Sequence, residues 1–189
     1  MNKITLEQLE KTVEGWSERR GILAQSTYEK QIAKFFSERA ELFTTDNPRD
    51  SYGDQMVCLI NAYLLRGTAS VESGIGVDMA VTTSQSDVEN CLMMGDIRGA
   101  IFALDEEIAL SFDPAEGYAM AWDEIKKRAG LMVDGLYVKW ANLTHKQRVE
   151  AAKKGQLLEP DVDIEFCKSC CTDYEWGEIR AAEQSVVDS

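Results

Sequence analysis

The chain is short of the residues that build β-rich, disulfide-stapled or membrane-spanning proteins. Only three of its 189 residues are proline, and with many Ala, Leu, Met, Glu and Lys residues this disfavours a turn-rich β architecture and favours helices. No stretch approaches the roughly 20 consecutive apolar residues of a membrane span. The start, Met-Asn-Lys-Ile-Thr-Leu-Glu-Gln, has no basic segment followed by an apolar run, so a cytoplasmic location is expected. Its five cysteines are an odd number, with Cys170 and Cys171 adjacent. That is a poor disulfide framework and fits a reducing compartment. The single histidine, His145, has no serine or cysteine placed by the sequence to pair with it, which removes the usual nucleophile-base arrangements. A G-x-x-x-x-G-K phosphate loop is also missing. Positive charge is scarce: 20 Lys and Arg against 33 Asp and Glu give a formal net charge of -13. Such a surface repels nucleic-acid backbones and anionic lipid, so neither is an expected partner.

The length suits one main hydrophobic core, or one core with an appendage. Thr5 with Gln8 reads as a capping box, followed by Leu6, Leu9, Val13 and Trp16 at helical spacing until Gly21. Ser26 with Glu29 reads as another, opening a helix whose apolar stripe is Ile32, Phe35, Phe36, Leu42 and Phe43. A third helix is expected from near Asp50, apolar on nearly every side, as the centre of a bundle must be. Residues 67–86 have no period and read as a loop. Helices are then expected from Asp87, from an Asp96 cap, from Asp113-Pro114, from a Thr144 cap and, as a last short one, from about Asp173. Residues 131–139 alternate around Asp134-Gly135 and predict a small hairpin at the edge of the core.

The acidic residues that remain informative are few. Lys34, Glu38 and Glu41, spaced by four and three residues, stack along one face of the second helix. On many helices such charges are simply solvated. Asp54 differs, because a carboxylate on an otherwise apolar helix costs several kcal/mol unless something positive meets it. A hydrogen bond from Asn61 or Lys34 would satisfy it without any metal. A short connection between the two helices favours antiparallel packing. The three carboxylates would then face one cavity and suit Mg²⁺, whose remaining coordination sites go to water and phosphate.

Four pieces, G-W-S-E-R-R-G-I (15–22), K-F-F-S-E-R-A-E-L (34–42), Y-G-D-Q-M-V-C-L-I-N (52–61) and A-W-D-E-I-K-K-R-A-G-L-M-V-D-G-L-Y-V-K (121–139), occur in an order that resembles the MazG-like all-α nucleotide pyrophosphohydrolases. The likeness covers much of residues 14–66 and 118–139. It implies an all-α, four-helix-bundle-like core over residues 1–140, with an inserted helical pair at about 67–112, a small β-hairpin after the last core helix and a C-terminal helical, Cys-rich appendage at 141–189. It also implies hydrolysis of a nucleoside triphosphate to monophosphate and pyrophosphate with Mg²⁺, or Mn²⁺ in its place, in a homodimer or homotetramer. Glu38, Glu41 and Asp54 would be the metal ligands. Lys34, Lys126 and Arg128 would meet phosphate, Asn61 would be a further substrate contact, and Trp16 would either line the base site or belong to the core.

The family's second acidic motif is E-x-x-D, whereas this chain reads Ser51-Tyr52-Gly53-Asp54, with a serine at the glutamate position. Asp50 is the substitute ligand, although neighbouring helix positions point about 100° apart. Ser37 and Asp123 depart from a common glutamate and a common asparagine. A second expectation is therefore a nucleotide-binding or protein-interaction module with a disabled metal site. Cys167-x-x-Cys170-Cys171 could hold Zn²⁺, but a structural site takes four ligands and His145 is far off in sequence.

Overall fold

The computed structural model describes residues 3–44, 46–66 and 86–188. Among them are ten helices and one two-stranded sheet. The loop expected at residues 67–86 falls almost wholly outside the described residues.

Helix α1 (Leu6–Arg19) starts at the Thr5–Gln8 capping box and ends before Gly21, whose φ of 74° suits a residue without Cβ. A short helix α2 (Ile22–Gln25), not anticipated from the pattern, follows immediately. Helix α3 (Tyr28–Glu41) is capped by Thr27, not Ser26. The two hydroxyls compete for the cap, and the Ser26 hydroxyl instead accepts a 2.9 Å bond from Gln31. Helix α4 (Pro48–Arg66) begins two residues before Asp50, with Pro48 at its first position, where the missing N–H costs nothing.

Helix α4 is the axis of the first core. From Ser51 to Ala62 every residue is buried, as its lack of a polar face requires. Helix α3 runs antiparallel beside it. The Ser51 hydroxyl donates to the Glu38 carbonyl at 2.8 Å, Arg39 donates to Gln55, and Arg66 at the far end of α4 lies over the Tyr28 ring. Helices α5 (Ser86–Met93) and α6 (Ile97–Ala109) add Val88, Ile101, Leu104 and Ile108 to the same core. Helix α7 (Pro114–Ile125), capped by Asp113 with Pro114 at its start, packs against α4 and also touches α1 and α6. It approaches α4 very closely at Gly53, where a Cβ would stand 2.1 Å from the Ala121 Cβ.

Strands β1 (Gly130–Val133) and β2 (Leu136–Lys139) form the hairpin, with Asp134 and Gly135 both at positive φ in the turn. It is more than an edge feature. Met132 joins the first core, whereas Leu131, on the other face of the strand, joins a second cluster with Trp140, Leu157, Cys167 and Ile179. A 3₁₀ turn (Trp140–Asn142) leads into α8 (His145–Lys153), α9 (Ile164–Ser169) and α10 (Asp173–Val187). The last helix has 15 residues and a Thr172–Glu175 capping box, so it is not short. Cys167 lies within α9; it is fully buried, and its carbonyl accepts the Trp140 indole N–H at 3.0 Å. Among the described residues no helix is long and apolar enough to cross a membrane.

Gly53→Ala would gain helix propensity of about 1 kcal/mol but must force α4 and α7 apart. The expected net result is a loss of about 2 kcal/mol in denaturant unfolding; unchanged or increased stability would mean that the two helices separate freely.

Candidate functional site

Two helical stripes face each other across a cavity of about 610 Å³. On α3 the lining residues Lys30, Lys34, Ser37, Glu38 and Glu41 recur at one-turn intervals, and on α4 Asp54, Val57, Cys58 and Asn61 do the same. Trp16 of α1 closes one end, where its ring meets Tyr137 edge-on at 5.4 Å. Arg128, just beyond α7, and Lys139 and Asn142, in and after β2, complete the wall. The hairpin is held over the cavity by Lys30, whose ammonium donates to the Asp134 carbonyl.

Glu38 and Asp54 are only 7% and 6% exposed, a rare position for carboxylates without partners. Each has one. Lys34 bonds Glu38 along α3, and Arg128 holds Asp54 with Nη1 at 3.2 Å from Oδ1 and Nη2 at 3.4 Å from Oδ2. The partner that Asp54 requires is thus an arginine 74 residues later. It is not Asn61, whose Oδ1 accepts the buried Ser17 hydroxyl at 2.6 Å. Burial alone pulls the pKa of Lys34 and of Arg128 down. For Lys34 it is outweighed by the carboxylates of Glu38 and Asp54, and for Arg128 by Asp54, Asp50 and Glu124, so both are raised and both stay cationic. Cys58, behind them, is pushed up to about 12, chiefly by burial, and remains a thiol. It is no nucleophile at neutral pH.

Of the residues singled out in the sequence, Glu38, Glu41, Asp54, Lys34, Asn61, Arg128 and Trp16 all line this cavity, and Lys126 and Asp50 do not. Lys126, the C-cap of α7, turns away and pairs with Asp123 at 3.0 Å. Asp50 lies one turn before Asp54; burial first, then the negative charges of Asp54 and Glu124, raises its pKa. Ser51 points at the α3 backbone and staples the helices together, so it contributes nothing to the cavity. Lys30, Tyr137 and Lys139 were not singled out. Lys30 sits one turn before Lys34 on the same stripe and was detectable there, whereas Tyr137 and Lys139 belong to the hairpin that sequence alone places at an edge.

Among the described residues no group of three His, Cys, Asp or Glu side chains is gathered closely enough to cage a metal ion. Cys167 accordingly serves the second core. A closed cage is not what Mg²⁺ needs, however, because it keeps several waters and is bound by one or two carboxylates together with substrate phosphates. The hard oxygen donors of Glu38 and Glu41 on the α3 wall and of Asp54 on the α4 wall match that chemistry, with Glu41 exposed at the rim and free of any ion pair among the described residues. Comparison of the chain with family models, with curated proteins and with solved structures gave no match.

Arg128→Met leaves the Asp54 carboxylate buried without its guanidinium and is expected to cost about 3 kcal/mol in chemical denaturation. Adding Asp54→Leu should recover most of that loss. A single variant as stable as the parent would show that water, not Arg128, solvates Asp54.

Proposed function

We propose that the chain is a Mg²⁺-dependent nucleoside triphosphate pyrophosphohydrolase built on a MazG-like, four-helix-bundle-like core, with its site between α3, α4 and the hairpin. The observation that carries this reading is the convergence of three carboxylates, four cations and an aromatic pair on one cavity of ligand size. The net charge of -13 would repel a polyphosphate in general, so recognition has to be local. Lys30, Lys34, Arg128 and Lys139 bring positive charge to the walls of this cavity.

In this reading the nucleotide ring enters beside Trp16 and Tyr137. The Trp16 Nε1 is buried with no hydrogen-bond partner in the protein, and a ring acceptor would satisfy it. The triphosphate lies along Lys34 and Arg128, which exchange part of their pairing with Glu38 and Asp54 for phosphate oxygens. Mg²⁺ would be held by the substrate phosphates together with one or two of the carboxylates Glu38, Glu41 and Asp54, and would supply charge neutralisation and acidify a water. Water attacks the α-phosphorus, the bond to the bridging oxygen breaks, and pyrophosphate leaves with the electron pair. Glu41, exposed and unpaired, accepts the proton of the attacking water.

A second reading, nucleotide binding without turnover, is favoured by one observation. Ser51, at the position of the family's fourth acidic ligand, is committed to the Glu38 carbonyl, which leaves the donor set one carboxylate short.

Incubation with Mg²⁺ and a panel of ribo- and deoxynucleoside triphosphates should release pyrophosphate, and chelation should stop it. Glu38→Gln should lower turnover on the order of 100-fold or more with helicity unchanged. Binding by calorimetry without pyrophosphate release on any substrate would select the second reading. Neither binding nor release would remove both. Full activity in Glu38→Gln would place the chemistry elsewhere.

A further inference from the structure

A second cavity of about 530 Å³ opens next to the first, between the end of α7, the 3₁₀ turn and α9. Arg128, Lys139 and Asn142 line both. We infer that the two cavities together form an elongated site for a dinucleoside polyphosphate, a ligand with an aromatic ring system at each end of its phosphate chain; this rests on the nucleotide reading of the first cavity.

Each cavity alone falls within the roughly 300–1,000 Å³ that holds a small ligand, so a mononucleotide in the first leaves the second unused. The charge distribution fits a ligand that continues. Arg128 and Lys139 stand where the cavities meet, with Lys34 on the inner side and Lys127 on the outer. Lys139 has no ion pair among the described residues, which leaves its charge available to phosphate.

The outer end repeats the chemistry of the inner one. Phe166 of α9 lines the second cavity while 52% exposed, so it is an apolar ring kept in water at the mouth of a site. Nucleobases stack on such rings for about 1–3 kcal/mol each. Asp163, on the same wall, orients Phe166 by accepting its backbone N–H at 2.9 Å, and its carboxylate is of the type that accepts from an exocyclic amine. The inner ring site at Trp16 and Tyr137 and the outer one at Phe166 therefore flank a cationic junction.

The test uses the full chain and calorimetry with the α,β-methylene analogues of ATP and of diadenosine tetraphosphate, which resist cleavage, in the presence of Mg²⁺. The dinucleoside compound is expected to bind at least tenfold more tightly than the ATP analogue. Phe166→Ala should erase that advantage while leaving the ATP analogue's affinity within twofold, and Phe166→Tyr, which keeps the ring, should retain it. Far-UV circular dichroism confirms that each variant is folded. Equal or weaker binding of the dinucleoside compound, or a preference that survives Phe166→Ala, overturns the extended site while leaving the mononucleotide reading intact. No binding of either compound overturns both.

Discussion

A carboxylate placed in the middle of a buried helix has to find a cation, and the architecture follows from how Asp54 finds one. Its partner cannot come from α4, where every residue from Ser51 to Ala62 is buried. Arg128 supplies the charge from just beyond α7. That contact fixes where α7 ends, and with it where the hairpin begins, because Gly130 is two residues further on. The close approach of Gly53 to Ala121 lets α7 lie near enough for the guanidinium to reach. A bulkier residue at either position would hold the cation away from the carboxylate and leave charge buried alone, the more costly state.

The same contact turns a structural requirement into a chemical opportunity. Arg128 is raised in pKa by Asp54, Asp50 and Glu124 against its own burial, and Lys34 is raised in the same way by Glu38 and Asp54. Both remain charged while facing a cavity. Buried ion pairs near break-even are poor contributors to stability but keep polar groups preorganised, so both cations are already in place at the cavity wall. The neighbouring thiol, Cys58, is held protonated by burial and adds no competing nucleophile.

The C-terminal helices are coupled to this site through the hairpin. Strand β1 turns Met132 into one core and Leu131 into the other, so the alternation of a single strand joins them. Arg20 extends the connection, donating from the end of α1 to the Gln156 side chain at 2.6 Å. Trp140 and Cys167 lock α9 against the 3₁₀ turn, which positions Phe166 at the outer cavity. The second cluster is therefore more than ballast hung on the first.

Much of this was legible in the residues. The capping box at Thr5, the cap at Thr144, Pro114 behind Asp113, and Asp134-Gly135 between alternating strands are local signals, and local backbone chemistry realised them. Spacing alone placed Glu38 and Glu41 on one face and marked Asp54 as a charge in need of a partner. Which partner was undetermined by sequence, because residues 74 apart meet only through the packing of α7 on α4. The contest between Ser26 and Thr27 for one cap, the removal of Lys126 and Asp50 from the cavity wall, and the burial of Cys167 were decided by the direction in which each helix face points once the cores close. Sequence set the periodicity of each element; tertiary structure set its rotation and neighbours, because a buried charge, a close helix crossing and a shared strand can be satisfied only by all of them together.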